Sequence, residues 1–165
     1  MTLIKGKVWK FGDNVNTDVM APGFTFTAPW EEVRKVILHI HPKFTQEAKP
    51  GDVIVAGKNW GCGSSREQAP ANLKRLGLGG VVAESFGRIF FRNSVALAFP
   101  TIVCPGVSAA FEEGDELELE LESARVRNIT RRKELKGEIL SKDMLGIIAK
   151  GGIIPALRER LRASR

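Results

Sequence analysis

The chain has 165 residues, 43% of them hydrophobic and 27% charged, which suits one folded domain over 1–165 and excludes an intrinsically disordered chain. A formal net charge of +6 raises nucleic-acid binding as a function. The bases, however, sit beside acids or at a helix end and lack the aromatic interleaving that stacks bases, so no nucleic-acid partner is expected.

Cys62 and Cys104 are too few for a disulfide framework, and with His39 and His41 their spacing matches no zinc pattern, so no metal site is expected. The start, Met1 to Lys7, carries no apolar signal core, and the longest apolar stretch, 94–111, is broken by Pro100 and Pro105. A cytoplasmic protein with no membrane segment is the expectation.

Taken in order, the chain opens with a strand over Ile4 to Phe11, where lysines alternate with apolar residues. Asp13-Asn14-Val15-Asn16 signals a turn into a loop carrying Thr17-Asp18, and a helix starts near Pro29. His39 and His41 fall at loop or strand edges. Pro50-Gly51-Asp52 then turns into a buried strand, Val53 to Ala56. A helix over Gln68 to Leu76, a strand at Val81 to Ala83, a helix introduced at Ser85 to Arg88 and a strand at Thr101 to Cys104 follow. This alternation predicts βα units around a central sheet.

Glu116 to Glu122 and Arg125 to Ile129 each alternate strictly, which predicts an antiparallel hairpin with acids facing bases across it. Gly151-Gly152 interrupts a last helical region and leaves a short terminal helix from about Ile154, whose basic end suits its dipole.

Between the second strand and the helix that follows it stands Gly57-Lys-Asn-Trp-Gly-Cys-Gly-Ser-Ser-Arg-Glu-Gln-Ala-Pro70. A turn of this kind presents backbone N–H groups that lack helical partners and so suits an anion, and Arg66 adds a planar fork for a carboxylate or phosphate. Ser64-x-x-Glu67 and Ser65-x-x-Gln68 also fit a capping box, which would account for a serine and an acid without any ligand. Gly61 and Gly63 around Cys62 are not explained by capping, because glycine is favoured where the backbone turns tightly or is closely approached. The stretch is neither a P-loop, since Lys58 precedes the glycines, nor a dinucleotide fingerprint, since Arg66 stands where its last glycine belongs.

Three blocks in order, Val8 to Thr17-Asp18, Gly57 to Pro70 and Ala83-Glu84-Ser85-Phe86-Gly87-Arg88-Ile89-Phe90-Phe91-Arg92-Asn93, together with Gly151-Gly152-Ile153-Ile154-Pro155, carry a family resemblance. The chain resembles small subunits of the isopropylmalate isomerase group, which are similar to the swivelling domain of aconitases. That resemblance implies an α/β fold of three-layer β/β/α swivelling type, with a central mostly parallel sheet plus antiparallel hairpins. It implies a hydro-lyase active only with a large subunit, on which a [4Fe–4S] cluster is expected, and a small di- or tricarboxylic acid substrate. Isomerisation of 2- and 3-isopropylmalate through isopropylmaleate, in leucine biosynthesis, leads. Sister activities on citramalate, dimethylmalate or homoaconitate are the alternatives, and a stand-alone anion- or nucleic-acid-binding module is the non-enzyme one.

By position in the motif, Ser64 resembles the family's catalytic base, Ser65 a holder of substrate or oxyanion, and Arg66 a carboxylate clamp. Asp18 resembles an active-site neighbour, or else closes an Asx turn. Arg88 and Arg92 read as packing or salt-bridge residues. After Ala21-Pro22-Gly23, where relatives commonly continue Arg-Tyr-Leu, this chain has Phe24-Thr25-Phe26-Thr27. Phe24 and Phe26 either face an apolar substituent of the substrate or pack the loop. Gln68 stands where many relatives have histidine.

Overall fold

The computed structural model describes residues 1–163. Its frame is one seven-stranded sheet made of β1 (Leu3–Lys10), β2 (Val53–Ala56), β3 (Gly80–Ala83), β4 (Thr101–Val103), β5 (Glu116–Glu120), β6 (Arg125–Asn128) and β7 (Lys133–Lys136), in the order β4-β3-β2-β1-β5-β6-β7. Neighbours from β4 to β1 pair in parallel, and β1-β5, β5-β6 and β6-β7 are antiparallel. The expected α/β fold with a parallel centre and added hairpins is what forms.

The helices are α1 (Trp30–Val33), α2 (Phe44–Glu47), α3 (Gln68–Arg75), α4 (Arg88–Ala96), α5 (Val107–Ala110), α6 (Lys142–Ala149) and α7 (Ile153–Ala163). Short 3-10 turns at Thr17–Val19 and Gly23–Phe26 carry the loop after β1.

Side chains alternate across a strand, so β2 feeds two cores. Ile54 and Ala56 join Trp9, Phe11, Trp60, Leu73 and Phe90 on one face, under α3 and the 11–48 segment. Val53 and Val55 join Val82, Ile102, Leu117, Leu119 and Val126 on the other, so the antiparallel half curls over the parallel half around a shared interior. Every residue of β2 and β3 is buried, as expected for parallel strands covered on both sides.

The hairpin carries the predicted charge pairs. Glu118 lies opposite Arg127 and Glu120 opposite Arg125, and both pairs form ion pairs, while Lys5 reaches Glu118 from β1 at 2.7 Å. Each such cross-strand pair contributes about 0.2–1 kcal/mol. The third antiparallel strand, β7, was not expected from its polar sequence. No described helix is long and apolar enough to cross a membrane.

Candidate active site

β2 runs out of the sheet into the turn that the glycines predict. Gly61 and Gly63 have φ of +75° and +99°, a region that L side chains rarely adopt. Space enforces the same choice, since a Cβ on Gly61 would lie 2.3 Å from the Phe90 ring and one on Gly63 would lie 2.5 Å from Asn16 Oδ1.

The turn is strung between two neighbouring segments. On one side Gly61 N–H donates to Val15 O at 2.8 Å and Thr17 N–H donates to Cys62 O at 2.9 Å. On the other, Trp60 N–H donates to Ser85 O at 3.0 Å and Gly87 N–H to Trp60 O at 2.8 Å. The three sequence blocks thus meet at one place, and Asn93 Nδ2 from the third donates to Ser65 O at 3.5 Å.

The capping box does not form. α3 starts at Gln68 with Glu67 at its N-cap and no side-chain cap bond, so the serines lie ahead of the helix and leave its donors alone. Both serines are exposed. Among the described residues, the backbone N–H groups of Gly63, Ser64 and Ser65 donate to no internal acceptor. The hydroxyl of Ser64 lies 3.3 Å from Thr17 Oγ1, on a residue that is fully buried.

Arg66 Nη1 forms an ion pair with Asp18 and also donates to Ala21 O at 3.1 Å. The Asx turn at this point belongs to Asn16, whose Oδ1 accepts from Asp18 N–H at 2.8 Å, leaving the Asp18 carboxylate to orient the guanidinium. Phe26 lies under that guanidinium, 5.4 Å from ring centre to Cζ. Phe24 is 63% exposed and Phe26 50%, so neither packs the loop as a core residue; buried Thr25 does that, its hydroxyl donating to Pro22 O at 2.5 Å.

Arg88 and Arg92 depart from the packing or salt-bridge reading. Both are exposed, neither has an ion pair among the described residues, and with Asn59, Gly61, Cys62 and Gly63 they line an open cleft of about 500 Å³. His41 does not touch the serine turn; its Nε2 lies 2.7 Å from Glu113 and its ring packs edge-on to Trp9. Burial, with the Glu84 charge as a lesser cause, pushes the Cys104 thiol up to about 11, so it stays protonated and inert at neutral pH.

No group of three or more histidines, cysteines or acids that could hold a metal occurs among the described residues. Sequence reasoning missed Thr17. Its only signal was its place beside Asp18, and its contact with Ser64 spans 47 residues of chain.

Residues 16–105 match the Aconitase C-terminal domain. The chain is 46% identical over 166 residues, 99% of each chain, to the isopropylmalate/citramalate isomerase small subunit of Methanocaldococcus jannaschii. It is 42% identical over 154 residues to the methanogen homoaconitase small subunit of Methanothermobacter thermautotrophicus, covering 92% of this chain and 89% of the other. Among solved structures, it superposes on a 3-isopropylmalate dehydratase from Methanocaldococcus jannaschii with a TM-score of 0.90, at 36% identity, over 99% of this chain and 98% of that one. Matched over nearly its whole length in sequence and in fold, the chain belongs to the 3-isopropylmalate dehydratase small-subunit family, built on the aconitase C-terminal domain.

Proposed function

We propose that this chain supplies the base and one carboxylate clamp of a heteromeric hydro-lyase that interconverts 2- and 3-isopropylmalate through isopropylmaleate, in leucine biosynthesis. The observation that carries the reading is the exposed serine turn. It combines free N–H donors, a hydroxyl and a guanidinium held by Asp18 within one short segment.

A serine hydroxyl is too weakly acidic to act as a base near neutral pH unless its alkoxide is stabilised. Backbone donors and a nearby guanidinium act on an anion at that position in the way of an oxyanion site. In the dehydration direction Ser64 Oγ takes the proton from the carbon next to a carboxylate, and the C–H electron pair becomes the new double bond. The hydroxyl leaves the neighbouring carbon with its own pair. Rehydration with the two carbons exchanged completes the isomerisation. Arg66 holds a substrate carboxylate through its fork, and Ser65 holds the substrate or the developing oxyanion.

A large subunit is the partner, in keeping with relatives that are themselves small subunits. A [4Fe–4S] cluster on that subunit would supply a Lewis acid for the departing hydroxyl. The chain alone is inactive on this reading. Free Cys62 and Cys104 suit a reducing cytoplasm, and residues 1–165 act as a single domain without a nucleic-acid partner.

Phe24 and Phe26 select the substrate. The exposed Phe24 ring, and the Phe26 ring under Arg66, suit an isopropyl group, whereas a third carboxylate would need a second cation, Arg66 being the clamp for another carboxylate. The relative named for homoaconitase keeps a tricarboxylate reading in view, and the one named for citramalate a smaller apolar group. The test is to reconstitute the chain with its large subunit and compare kcat/KM for isopropylmalate, citramalate, dimethylmalate and homoaconitate. Isopropylmalate is expected to lead; a preference for homoaconitate overturns the assignment of the loop. Salt-sensitive RNA binding by the isolated chain would favour the non-enzyme reading instead.

A further inference from the structure

Thr17 is a residue whose position calls for a chemical explanation. It is fully buried, yet its hydroxyl reaches the exposed Ser64 hydroxyl at 3.3 Å. Its backbone is fixed from both directions. Its N–H donates to Cys62 O at 2.9 Å, and its carbonyl accepts from Met20 N–H at 3.1 Å and Ala21 N–H at 2.9 Å. Gly63, next to Ser64, is pressed against the Asn16 side chain so closely that a Cβ there would lie 2.5 Å from Oδ1. The backbones that carry the two hydroxyls are therefore held side by side.

Thr17 has one hydroxyl proton and three acceptors within reach. These are Ser64 Oγ at 3.3 Å, Ser64 O at 3.4 Å and Asn16 Oδ1 at 3.4 Å. All three are long for O–H···O, and Asn16 Oδ1 already accepts from Asp18 N–H at 2.8 Å. With Ser64 neutral, the proton has no strong preference among them. With Ser64 deprotonated, one acceptor becomes an anion, and charge-assisted hydrogen bonds are shorter and about twice as strong as neutral ones. A donor that prefers the charged form of its partner lowers that partner's pKa.

We propose that Thr17 is a positioning residue that donates its hydroxyl proton to Ser64 Oγ, aims that oxygen and stabilises it as an alkoxide. The inference rests on the reading of Ser64 as the base. Ser64 releases its own proton to water, Thr17 donates into the resulting anion, and Ser64 then accepts the proton from the substrate carbon. Once Ser64 is neutral again the extra strength of the Thr17 bond is gone. The interaction therefore favours the charged form alone and leaves substrate binding largely untouched.

The experiment compares wild type, Thr17→Val, Thr17→Ser and Ser64→Ala in the complex reconstituted with the large subunit. It measures kcat and KM for isopropylmalate against pH, with melting temperature and subunit binding recorded for each. Without the Thr17 donor the alkoxide fraction of Ser64 falls about tenfold below the rising limb, so Thr17→Val is expected to lower kcat there by up to about 10-fold. Its KM is expected within about twofold of wild type, and the rising limb of its kcat profile about one pH unit higher. Thr17→Ser, which keeps the hydroxyl, is expected to recover the limb position and most of kcat.

If the valine variant does not assemble, Thr17→Ala replaces it and is read against Thr17→Ser on the same pH axis. A hydroxyl-free variant with wild-type kcat and pH limb overturns the proposal, and so does Thr17→Ser behaving like Thr17→Val, which would make the methyl group the important part. An active Ser64→Ala complex overturns the reading of Ser64 itself and is thereby told apart from a failure of Thr17 alone.

Discussion

The individual side chains at the serine turn and the neighbouring loop divide into those left exposed and those held by their neighbours. Ser64, Ser65, Phe24 and Phe26 are exposed, while Arg66 is half-buried and held by Asp18 and the Ala21 carbonyl. Such a guanidinium is already oriented, so under the proposed role little freedom would be lost on binding a carboxylate. The proposed selectivity of the loop depends on the absence of a second cation at Phe24. Phe24→Arg is expected to lower kcat/KM for isopropylmalate by about 10-fold or more and to raise it for homoaconitate, since a pocket discriminates best through paired or unpaired charges. Assays of the reconstituted complex on both substrates check this, and an unchanged ratio would return Phe24 to a bystander. Ser64 and Arg66 stood out in the sequence because few uses other than anion binding require glycines, hydroxyls and an arginine so close together. Thr17 did not stand out, since threonine is common in turns and its partner lies far along the chain.

At the level of elements, the sequence made every strand but β7 legible and left the caps ambiguous. β2 was readable as Val53 to Ala56 because its β-branched run is bounded by turn residues, and it forms over that range. The Ser-x-x-Glu spacing also matched a capping box, but helix α3 begins at Gln68 with Glu67 at its N-cap, so the serines stand in the glycine turn ahead of the helix. β7 was missed because its one apolar residue, Leu135, is too little to set up an alternation. The turn itself predicts its own fragility. Gly63→Ala would force a side chain into φ of +99° and against Asn16. Such strain is expected to lower stability by about 1–3 kcal/mol and to displace Ser64 from Thr17. Melting temperature and kcat should fall together, and an alanine variant with wild-type values for both would show that the turn relaxes freely.

Across the whole molecule, the sheet's parallel half presents the site and its antiparallel half closes the second core by curling over it. Asp115 ties that closure together. It is buried, and its carboxylate accepts from Glu112 N–H at 2.9 Å, Asn128 Nδ2 at 2.7 Å and Arg131 Nε at 2.7 Å. Burial pushes its pKa up, but these hydrogen bonds and the Arg131 charge outweigh burial and hold it below the ordinary carboxylate range. A carboxylate lowered in the folded state binds fewer protons than the unfolded chain. Its stabilising contribution is therefore fully present above about pH 4 and is lost as pH falls through the lowered value. Asp115→Asn should destabilise the chain near neutral pH and flatten the acid side of its stability–pH curve, as read by urea unfolding at several pH values. An equally steep acid limb in the variant would assign the loss to other groups.

In the proposed enzyme this chain carries the base and its partner subunit completes the site. In deuterated water the reconstituted complex should exchange the substrate's abstracted hydrogen with solvent as it turns over. Ser64→Ala is expected to lose both exchange and turnover by about 1,000-fold or more while binding the large subunit as tightly as wild type. Exchange at a near-normal rate in that variant would show that the base is a group other than Ser64.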